Sequence, residues 1–180
     1  MSSPPHDVST LLADQGRQLY ALLYRLTLRT DVAEDLLQDL FCKLAMSGGF
    51  HRAENRTAFA FRTAMNLAFD WRRSRKRVPM TGTDVAAQHC PASSPLSNMV
   101  RREELEQTLT AIDELQALHR DIVVFRYLEQ QSYEAIAEQF GKTAHQIRAI
   151  AHKAIKQLRR ELEVEPNEPT KSQQVEGQSR

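Results

Sequence analysis

The sequence predicts an all-α protein of two small helical domains joined by a flexible linker, with a helix-turn-helix in the second domain. Apolar residues recur at helical spacing over most of the chain. A stretch rich in proline and serine interrupts this pattern and is long for a loop within one domain. We therefore predict an N-terminal domain at 11–77, a linker at 78–100, a C-terminal domain at 101–162 and a disordered tail at 163–180.

The composition excludes several classes of protein. The chain has no apolar run of the about 18 residues that a membrane-spanning helix needs, and its N-terminus lacks the basic-then-apolar pattern of a signal peptide. We therefore expect a cytoplasmic protein without membrane insertion. The net charge is only +1, but the charges are strongly segregated along the chain, which is the more informative property for a binding protein.

The two cysteines support neither a disulfide framework nor a catalytic site. Cys42 falls in a helical pattern and Cys90 in the predicted linker. His89 precedes Cys90, but no further residue stands at a spacing that would complete a metal site or supply a base to a nucleophile. We expect no metal, no cofactor, no small-molecule substrate and no enzymatic activity, and a cysteine enzyme is the least supported alternative.

The first two predicted helices follow a polar N-terminal segment that we expect to be frayed up to about Thr10. Leucines at helical spacing from Leu19 to Leu26 mark the first helix. Thr30 and Asp31 break the pattern, and Asp31 with Glu34 is placed to form a capping box for the next helix.

The second helix, predicted from about Val32 to Met46, separates apolar and acidic residues onto opposite sides. Its polar side carries Asp31, Glu34, Asp35, Gln38 and Asp39. Such a stripe is either a solvated face, in which acids near the N-terminus stabilise the helix through its dipole, or a docking surface for a basic partner. The residues alone favour the solvated face.

The third helix, predicted from Thr57 to Arg77, ends in a cluster of five cations next to Trp71. Cations of this density attract phosphates, and neighbouring aromatic rings can stack on unpaired bases. A polar strip with Arg62, Asn66 and Arg73 runs along the same helix. The loop from Ser47 to Arg56 before it is polar apart from Phe50.

The stretch from Ser132 to Arg160 predicts two short helices separated by a turn at Gly141. No acidic residue occurs from Lys142 to Arg160, whereas six lysines and arginines do. This pattern is typical of a helix-turn-helix whose second helix enters a major groove, although a helical hairpin with a solvated basic face would look similar. The predicted DNA-binding residues are Lys142, Thr143, His145, Gln146, Arg148, His152, Lys153 and Lys156.

Three segments together resemble the extracytoplasmic-function (ECF) group of bacterial sigma factors. The run from Asp31 to Phe41 is similar to the family's DAEDLVQEVF segment, and the helix from Ala64 to Arg73 resembles its A-R-N-L-A-x-D-x-x-R-R pattern. The helix-turn-helix, preceded by Arg120-Asp121-Ile122-Val123, resembles the domain with which the family reads the −35 element. The resemblance covers most of residues 15–160, with the motifs in the family's order.

The resemblance implies an alternative sigma factor that binds core RNA polymerase and directs promoter-specific initiation. The acidic helix would dock on the polymerase β′ coiled coil, the C-terminal domain would meet the β flap, and an anti-sigma protein is a further partner. The third helix would open and read the −10 element, and the loop before it would catch an extruded base. The implied −10 residues are Phe50, Asn55, Arg62, Asn66, Arg72, Arg73, Arg75 and Lys76.

Within the second domain, His145, Gln146 and Arg148 are the candidates for base reading, because they lie near the N-terminus of the second helix. Lys142, Lys153 and Lys156 are expected to contact phosphates. The sequence departs from the family pattern at Phe59, where tryptophan is usual, and at Met65, where arginine is usual. The alternative function is a stand-alone helix-turn-helix regulator that binds duplex DNA without polymerase.

Overall fold

The computed structural model describes residues 5–77 and 95–163, with side chains for 8–76 and 99–163, and these ranges contain helices and no strands. The predicted all-α class is confirmed. The helices are α1 (Pro5–Thr27), α2 (Thr30–Met46), α3 (Gly48–Arg52), α4 (Arg56–Arg77), α5 (Pro95–Glu114), α6 (Ala117–Val123), a π-helical turn (Val124–Leu128), α7 (Tyr133–Phe140) and α8 (Ala144–Glu163). In those ranges, no helix combines the length and the apolar character that crossing a bilayer requires.

The N-terminal helices α1, α2 and α4 form a bundle, with α3 packed against α4. The leucine row that predicted α1 is fully buried, and so are Leu40 and Leu44 of α2. Small residues of α4, among them Ala60, Ala64 and Ala68, are also fully buried and so allow close packing. Burial of such apolar stripes, about 25 cal/mol per Å², is what holds three amphipathic helices together.

The turn between α1 and α2 differs from the sequence prediction. Helix α1 starts at Pro5, so residues 5–10 of the segment that we expected to be frayed are helical. No side chain caps α2, because the N-cap position falls on Arg29, whose guanidinium has no acceptor. It donates instead to both Asp31 carboxylate oxygens, at 2.6 and 3.1 Å. The predicted capping box of Asp31 and Glu34 is therefore wrong. The chain reverses instead at Leu28, which takes a left-handed conformation (φ +56°) and donates its N–H to the Tyr24 carbonyl.

The predicted loop before α4 contains the short helix α3. Ser47 caps it, since its Oγ accepts the Phe50 N–H at 3.3 Å. Phe50 is fully buried, and its ring centroid lies 6.1 Å from that of Phe59. An aromatic anchor of this kind gives a five-residue helix the packing that its own hydrogen bonds cannot supply.

The predicted linker and tail fall largely on residues 78–94 and 164–180, which lie outside the described residues. Residues 95–100, predicted as linker, form the first turns of α5. Proline is compatible with this start, because the first position of a helix needs no N–H donor. At the other end, α8 continues to Glu163, one residue into the predicted tail.

The C-terminal helices form a second bundle, which contacts the first through aromatic rings. The predicted helix-turn-helix is present as α7 and α8, and Gly141 ends α7 in the left-handed conformation (φ +59°) that a residue with a Cβ rarely adopts. Phe61 of α4 lies 6.4 Å from Phe125 of the π-helical turn, and Phe125 lies 5.9 Å from Phe140 of α7. The two bundles therefore share an apolar contact.

Candidate nucleic-acid interface

The acidic face of α2, defined as Asp31, Glu34, Asp35, Gln38 and Asp39, is exposed along its whole length. The hydrogen bond from Arg29 lowers the pKa of the Asp31 carboxyl. At the C-terminal end of the same face, the side chains of Phe41 and Met46 are 41% and 87% exposed. The helix thus presents carboxylates first and apolar groups afterwards, a surface suited to a partner that offers cations beside an apolar patch.

The eight residues predicted to bind DNA around α8 are all exposed. Two of them also form the helix start, because the Thr143 N–H donates to Gln146 Oε1 at 3.0 Å and the Gln146 N–H donates to Thr143 Oγ1 at 3.2 Å. This capping box satisfies two N–H groups that the helix would otherwise leave open. The cap uses the Gln146 Oε1 acceptor and leaves its amide donors, whereas neither ring nitrogen of His145 takes part in the cap.

Arg148 occupies a cleft between α8 and the start of α7. Its guanidinium lies 5.1 Å from the Tyr133 ring centroid and 3.9 Å from the Glu134 carboxylate. Cations and tyrosines dominate the cleft lining, which comprises Tyr127, Tyr133, Arg148, His152, Ile155, Lys156, Arg159, Arg160 and Glu163. Stacking on an aromatic face holds a flexible arginine in place, so Arg148 is positioned before any ligand arrives.

The polar strip of α4 lies beside the second bundle, with Asn66 exposed and Arg62 and Arg73 half-buried. Asn66 Oδ1 accepts a hydrogen bond from Arg120 at 2.7 Å, and Arg73 pairs with Asp113 at 2.6 Å. The Arg62 guanidinium lies over the Phe140 ring at 5.1 Å. The structure therefore places Arg62, Asn66 and Arg73 along one strip of α4, and residues of the second bundle cover part of that strip.

Two of the predicted −10 residues are buried, which corrects their assignment. Phe50 is part of the core beneath α3 and offers no surface to a base. Arg72 is 6% exposed, donates to the Leu26 carbonyl and pairs with Glu106. Burial of a long cation with partners is a structural arrangement that helical periodicity could not distinguish from an exposed one.

The remaining −10 candidates lie at the two ends of α4. Asn55 is exposed and caps the helix, because its Oδ1 accepts the Ala58 N–H at 2.8 Å. Near the other end, the Arg75 guanidinium lies over the Trp71 ring at 5.6 Å, and Lys76 is exposed with its Nζ 3.9 Å from Glu114.

Sequence reasoning missed Arg120, the cation at the centre of the contact between the bundles. It is 6% exposed, approaches Asp113 and Asp121, and lies over the Phe69 ring at 4.7 Å. The sequence contained part of the information needed to find it. Arg120-Asp121 directly precedes the apolar run from Ile122, and a pair of opposite charges next to an apolar run can be buried as an ion pair.

Two carboxyl groups at this contact have raised pKa values. Burial raises the pKa of Asp121, although Arg120 opposes the effect. Burial likewise raises the pKa of Glu129, whose carboxylate binds Arg25 of α1 at 2.6 Å. The charged form of each group therefore costs more in the folded chain than in the unfolded one, even with a guanidinium beside it.

The pKa of Glu129 leads to a prediction about pH. Because its folded-state pKa is raised, its contribution to stability is fully present below its unfolded pKa and is lost as the pH rises through the folded-state value. Glu129→Gln stays neutral at every pH, so we expect its melting temperature to rise relative to the wild type as the pH increases from the ordinary glutamate pKa of about 4.3 through the raised folded-state pKa. Melting curves at several pH values check it, and a constant difference would contradict it.

Comparisons with known proteins match both halves of the chain. The family model "Sigma-70 region 2" matches residues 11–78, and the model "Sigma-70, region 4" matches residues 111–160. The chain belongs to the sigma-70 family. It is similar to the ECF RNA polymerase sigma factor SigE of Mycolicibacterium smegmatis, with 27% identity over 90% of this chain and 64% of the relative. The resemblance to the ECF group is thereby confirmed.

Two further comparisons support the family and the fold of this sigma factor. The RNA polymerase sigma-E factor of Streptomyces antibioticus is 30% identical over 73% of this chain and 71% of the relative. The solved structure of CnrH in complex with the cytosolic domain of CnrY shares the fold, with a TM-score of 0.52 and 17% identity over 88% of this chain and 89% of CnrH. The chain spans slightly less than two thirds of the M. smegmatis relative.

Proposed function

We propose that this sigma factor binds core RNA polymerase in the cytoplasm and directs promoter-specific initiation of transcription. The observation that carries the proposal is the occurrence of regions 2 and 4 in one chain, at 11–78 and 111–160. A stand-alone helix-turn-helix regulator, the alternative, needs only the second of them. The chain itself performs no covalent chemistry in this role, and it works by placing and opening DNA for the polymerase.

Docking on core polymerase is assigned to the acidic face of α2. Its five residues are exposed, and Glu34, Asp35 and Asp39 form no ion pair within the described part of the chain. Carboxylates that are not engaged in ion pairs attract a basic surface over a long range and determine orientation during encounter. The family resemblance supplies such a surface in the β′ coiled coil of the polymerase, and Phe41 and Met46 add apolar contact once the surfaces meet.

Recognition of the −35 duplex is assigned to α8. A helix about 10–12 Å wide fits the major groove, and the N-terminal end of a recognition helix reaches base edges. His145 and Arg148 are exposed in the first turns of α8, and Lys153 and Lys156 follow at positions suited to phosphates. Phosphate contacts fix the register, while the few base contacts determine which promoter is chosen.

Recognition of the melted −10 strand is assigned to the polar strip and the C-terminal end of α4. Arg62, Asn66 and Arg73 lie along the strip, and Arg75 with Trp71 forms a stacked cation–ring pair at its end. Strand separation breaks base stacking, so it requires a surface that binds phosphates and aromatic faces at the same time. This surface offers both.

The two types of contact on α8 differ in their expected effect on binding. Arg148→Ala should weaken binding to the cognate −35 duplex by about 1–3 kcal/mol and relax the preference at one base position, because the stacked guanidinium is positioned to read an edge. Lys156→Ala should weaken binding to all duplexes similarly. It should also reduce the slope of the logarithm of the binding constant against the logarithm of the salt concentration by about one. Fluorescence anisotropy with a cognate and a shuffled duplex measures both. Equal losses for Arg148→Ala on the two duplexes would make Arg148 a phosphate contact.

The function is tested with purified chain and core polymerase. The mixture transcribes genomic DNA of the source organism, and the 5′ ends of the transcripts are mapped. A sigma factor produces discrete start sites that share upstream −10 and −35 sequences and that core polymerase alone does not use. Binding of the chain to duplex DNA without any new start site, and without co-elution with core, would favour the stand-alone regulator.

A further inference from the structure

Tyr133, the first residue of α7, has two arginine side chains over its ring. The guanidinium carbon of Arg126 lies 4.7 Å from the ring centroid, and that of Arg148 lies 5.1 Å from it. Arg126 comes from the π-helical turn and Arg148 from α8. A tyrosine ring attracts a guanidinium through the negative charge of its π-face and through stacking. The ring therefore links the turn before the helix-turn-helix to the helix assigned to the −35 duplex.

The ring is fixed in place by the elements around it. Arg126 is half-buried, and its guanidinium donates to the Gln131 carbonyl at 2.9 Å. Directly before Tyr133, the Ser132 hydroxyl accepts the Ala135 N–H at 3.1 Å and caps α7. Tyr133 itself is half-buried and packs against the hydrophobic core. The protein thus sets the position of this ring before any DNA binds.

Arg148, in contrast, depends on this ring for its own position. Its side chain is 59% exposed, and its ion-pair partner among the described residues is Glu134, at 3.9 Å. The Glu134 side chain is 70% exposed, and an ion pair so open to solvent holds its partners only weakly. Without a restraint, a long side chain of this kind moves among many rotamers. The Tyr133 ring is therefore the main restraint on Arg148.

The stack leaves the DNA-reading part of the Arg148 guanidinium available. A ring covers the flat face of a guanidinium, whereas the N–H groups point outward in its plane. In the major groove, guanine offers two acceptors, O6 and N7, that match two of these N–H groups. Arg148 lies near the start of α8, and this end of a recognition helix reaches base edges. A stacked Arg148 can therefore bind a guanine edge without leaving its ring, and the base then replaces the weakly held Glu134 carboxylate.

A mobile arginine at this position would contribute affinity but little selection. Phosphates line both edges of the groove and attract any mobile cation, and contacts with them carry no sequence information. An arginine that is already held loses less freedom when it meets a base, so its binding depends more strongly on which base is present.

We propose that Tyr133 is a positioning residue for promoter recognition, whose ring holds Arg148 so that the guanidinium selects a guanine in the −35 duplex. The identity of that duplex rests on the proposed function. Tyr133 acts through Arg148, so its effect is on the preference for one base and not on the affinity for DNA in general.

The first test compares two changes to the same ring in the full chain. Tyr133→Leu keeps an apolar side chain and removes the ring, whereas Tyr133→Phe keeps the ring. Tyr127→Leu is the matched control, because it removes the exposed neighbouring tyrosine of the same cleft, over which no guanidinium lies among the described residues. Selection from a randomised duplex library with the wild type and with Arg148→Ala identifies the guanine whose enrichment depends on Arg148. The probes are the selected duplex and the same duplex with adenine in place of that guanine, both labelled with fluorescein.

Fluorescence anisotropy measures the ratio of the two affinities. The wild type, Tyr133→Phe and Tyr127→Leu should prefer the guanine duplex by about tenfold or more, as a bidentate arginine contact does. Tyr133→Leu should lose most of this preference, while its affinity for the adenine duplex changes little because the phosphate contacts of α8 remain. In an Arg148→Ala background, Tyr133→Leu should lower the ratio no further. Equal losses on the two duplexes would mean that Tyr133 only supports the fold, and the inference would fail.

The outcomes separate this inference from the proposed function. If the wild type selects no sequence from the library, α8 does not read DNA, and the −35 assignment fails together with the inference. If the wild type selects a guanine through Arg148 and Tyr133→Leu prefers it as strongly, the assignment stands and the inference alone fails. A selected sequence that Arg148→Ala leaves unchanged also overturns the inference.

The second test keeps the ring, so it does not depend on how well a Tyr133 variant folds. Side-chain Nε–H signals are recorded by NMR from the full chain with isotope-labelled arginine, and Arg148→Lys identifies the signal of Arg148 by its disappearance. A proton held over a tyrosine ring is shifted upfield by the ring current. We expect this shift in the free chain and its persistence after the selected duplex is added, because the base binds the edge of the guanidinium and not its face. A signal that is unshifted in the free chain, or that loses its shift in the complex, would overturn the inference.

Discussion

The double change Asp35→Arg/Asp39→Arg should abolish association with core polymerase and with it all promoter-dependent transcription. Both side chains are exposed on α2, opposite its buried leucines, so their replacement should change the free energy of unfolding by no more than about 0.5 kcal/mol each. The docking proposal, in contrast, depends on the sign of the charge, and cations placed against a basic partner repel it. The loss should therefore be one of association and not of folding.

The measurement is co-elution of each variant with core enzyme, next to a melting curve of the free variant. Glu103→Arg/Glu104→Arg is the matched control, because it reverses two exposed carboxylates on α5, outside the proposed docking surface. The control should co-elute like the wild type. Binding of −35 duplex by α8 should persist in both variants. If the folded Asp35→Arg/Asp39→Arg chain binds core with unchanged affinity, the acidic face of α2 is a solvated surface and not the docking site.

The largest effect on stability is expected at Arg120. Its guanidinium is 6% exposed, binds Asn66 and Asp121, and lies 3.9 Å from Asp113, whose side chain is 5% exposed. Arg120→Met keeps the length of the side chain but leaves the Asp121 carboxylate without its paired cation, whereas Asp113 keeps Arg73. Removal of one partner from a buried ion pair costs about 3–5 kcal/mol, because the remaining charge stays desolvated. Urea unfolding should show a loss of this size.

Two controls separate this effect from a general loss of charge. Arg101→Met removes an exposed arginine from α5 and should change the free energy of unfolding by less than about 0.5 kcal/mol. Adding Asp121→Asn to Arg120→Met removes the carboxylate that has lost its cation and should recover part of the loss, since burial already raises the pKa of Asp121. A loss below about 1 kcal/mol for Arg120→Met would mean that Arg120 is not needed to hold the contact between the bundles.

Local physics determined a large part of this structure in advance. The leucine row of α1, the division of α2 into apolar and acidic sides and the two helices around Gly141 follow from helical periodicity and from one residue that tolerates positive φ. The acidic face of α2 and the cations of α8 were also assigned to exposed surface correctly, because an amphipathic helix in a small bundle has only one side to bury. These features depend on residues within a few turns of one another.

Only the tertiary structure decided which polar residues meet across the chain. Arg72 and Asn66 have the same helical pattern as exposed residues, yet one is buried against α5 and the other accepts a hydrogen bond from Arg120, 54 positions away. Phe50 was predicted to lie in a polar loop and to bind the −10 element, and the packing of α3 on α4 buries it completely. Periodicity tells which side of a helix is apolar, but a polar side chain is buried only if a partner from a distant element satisfies it. That partner is set by how the two bundles pack, which no local pattern in the sequence records.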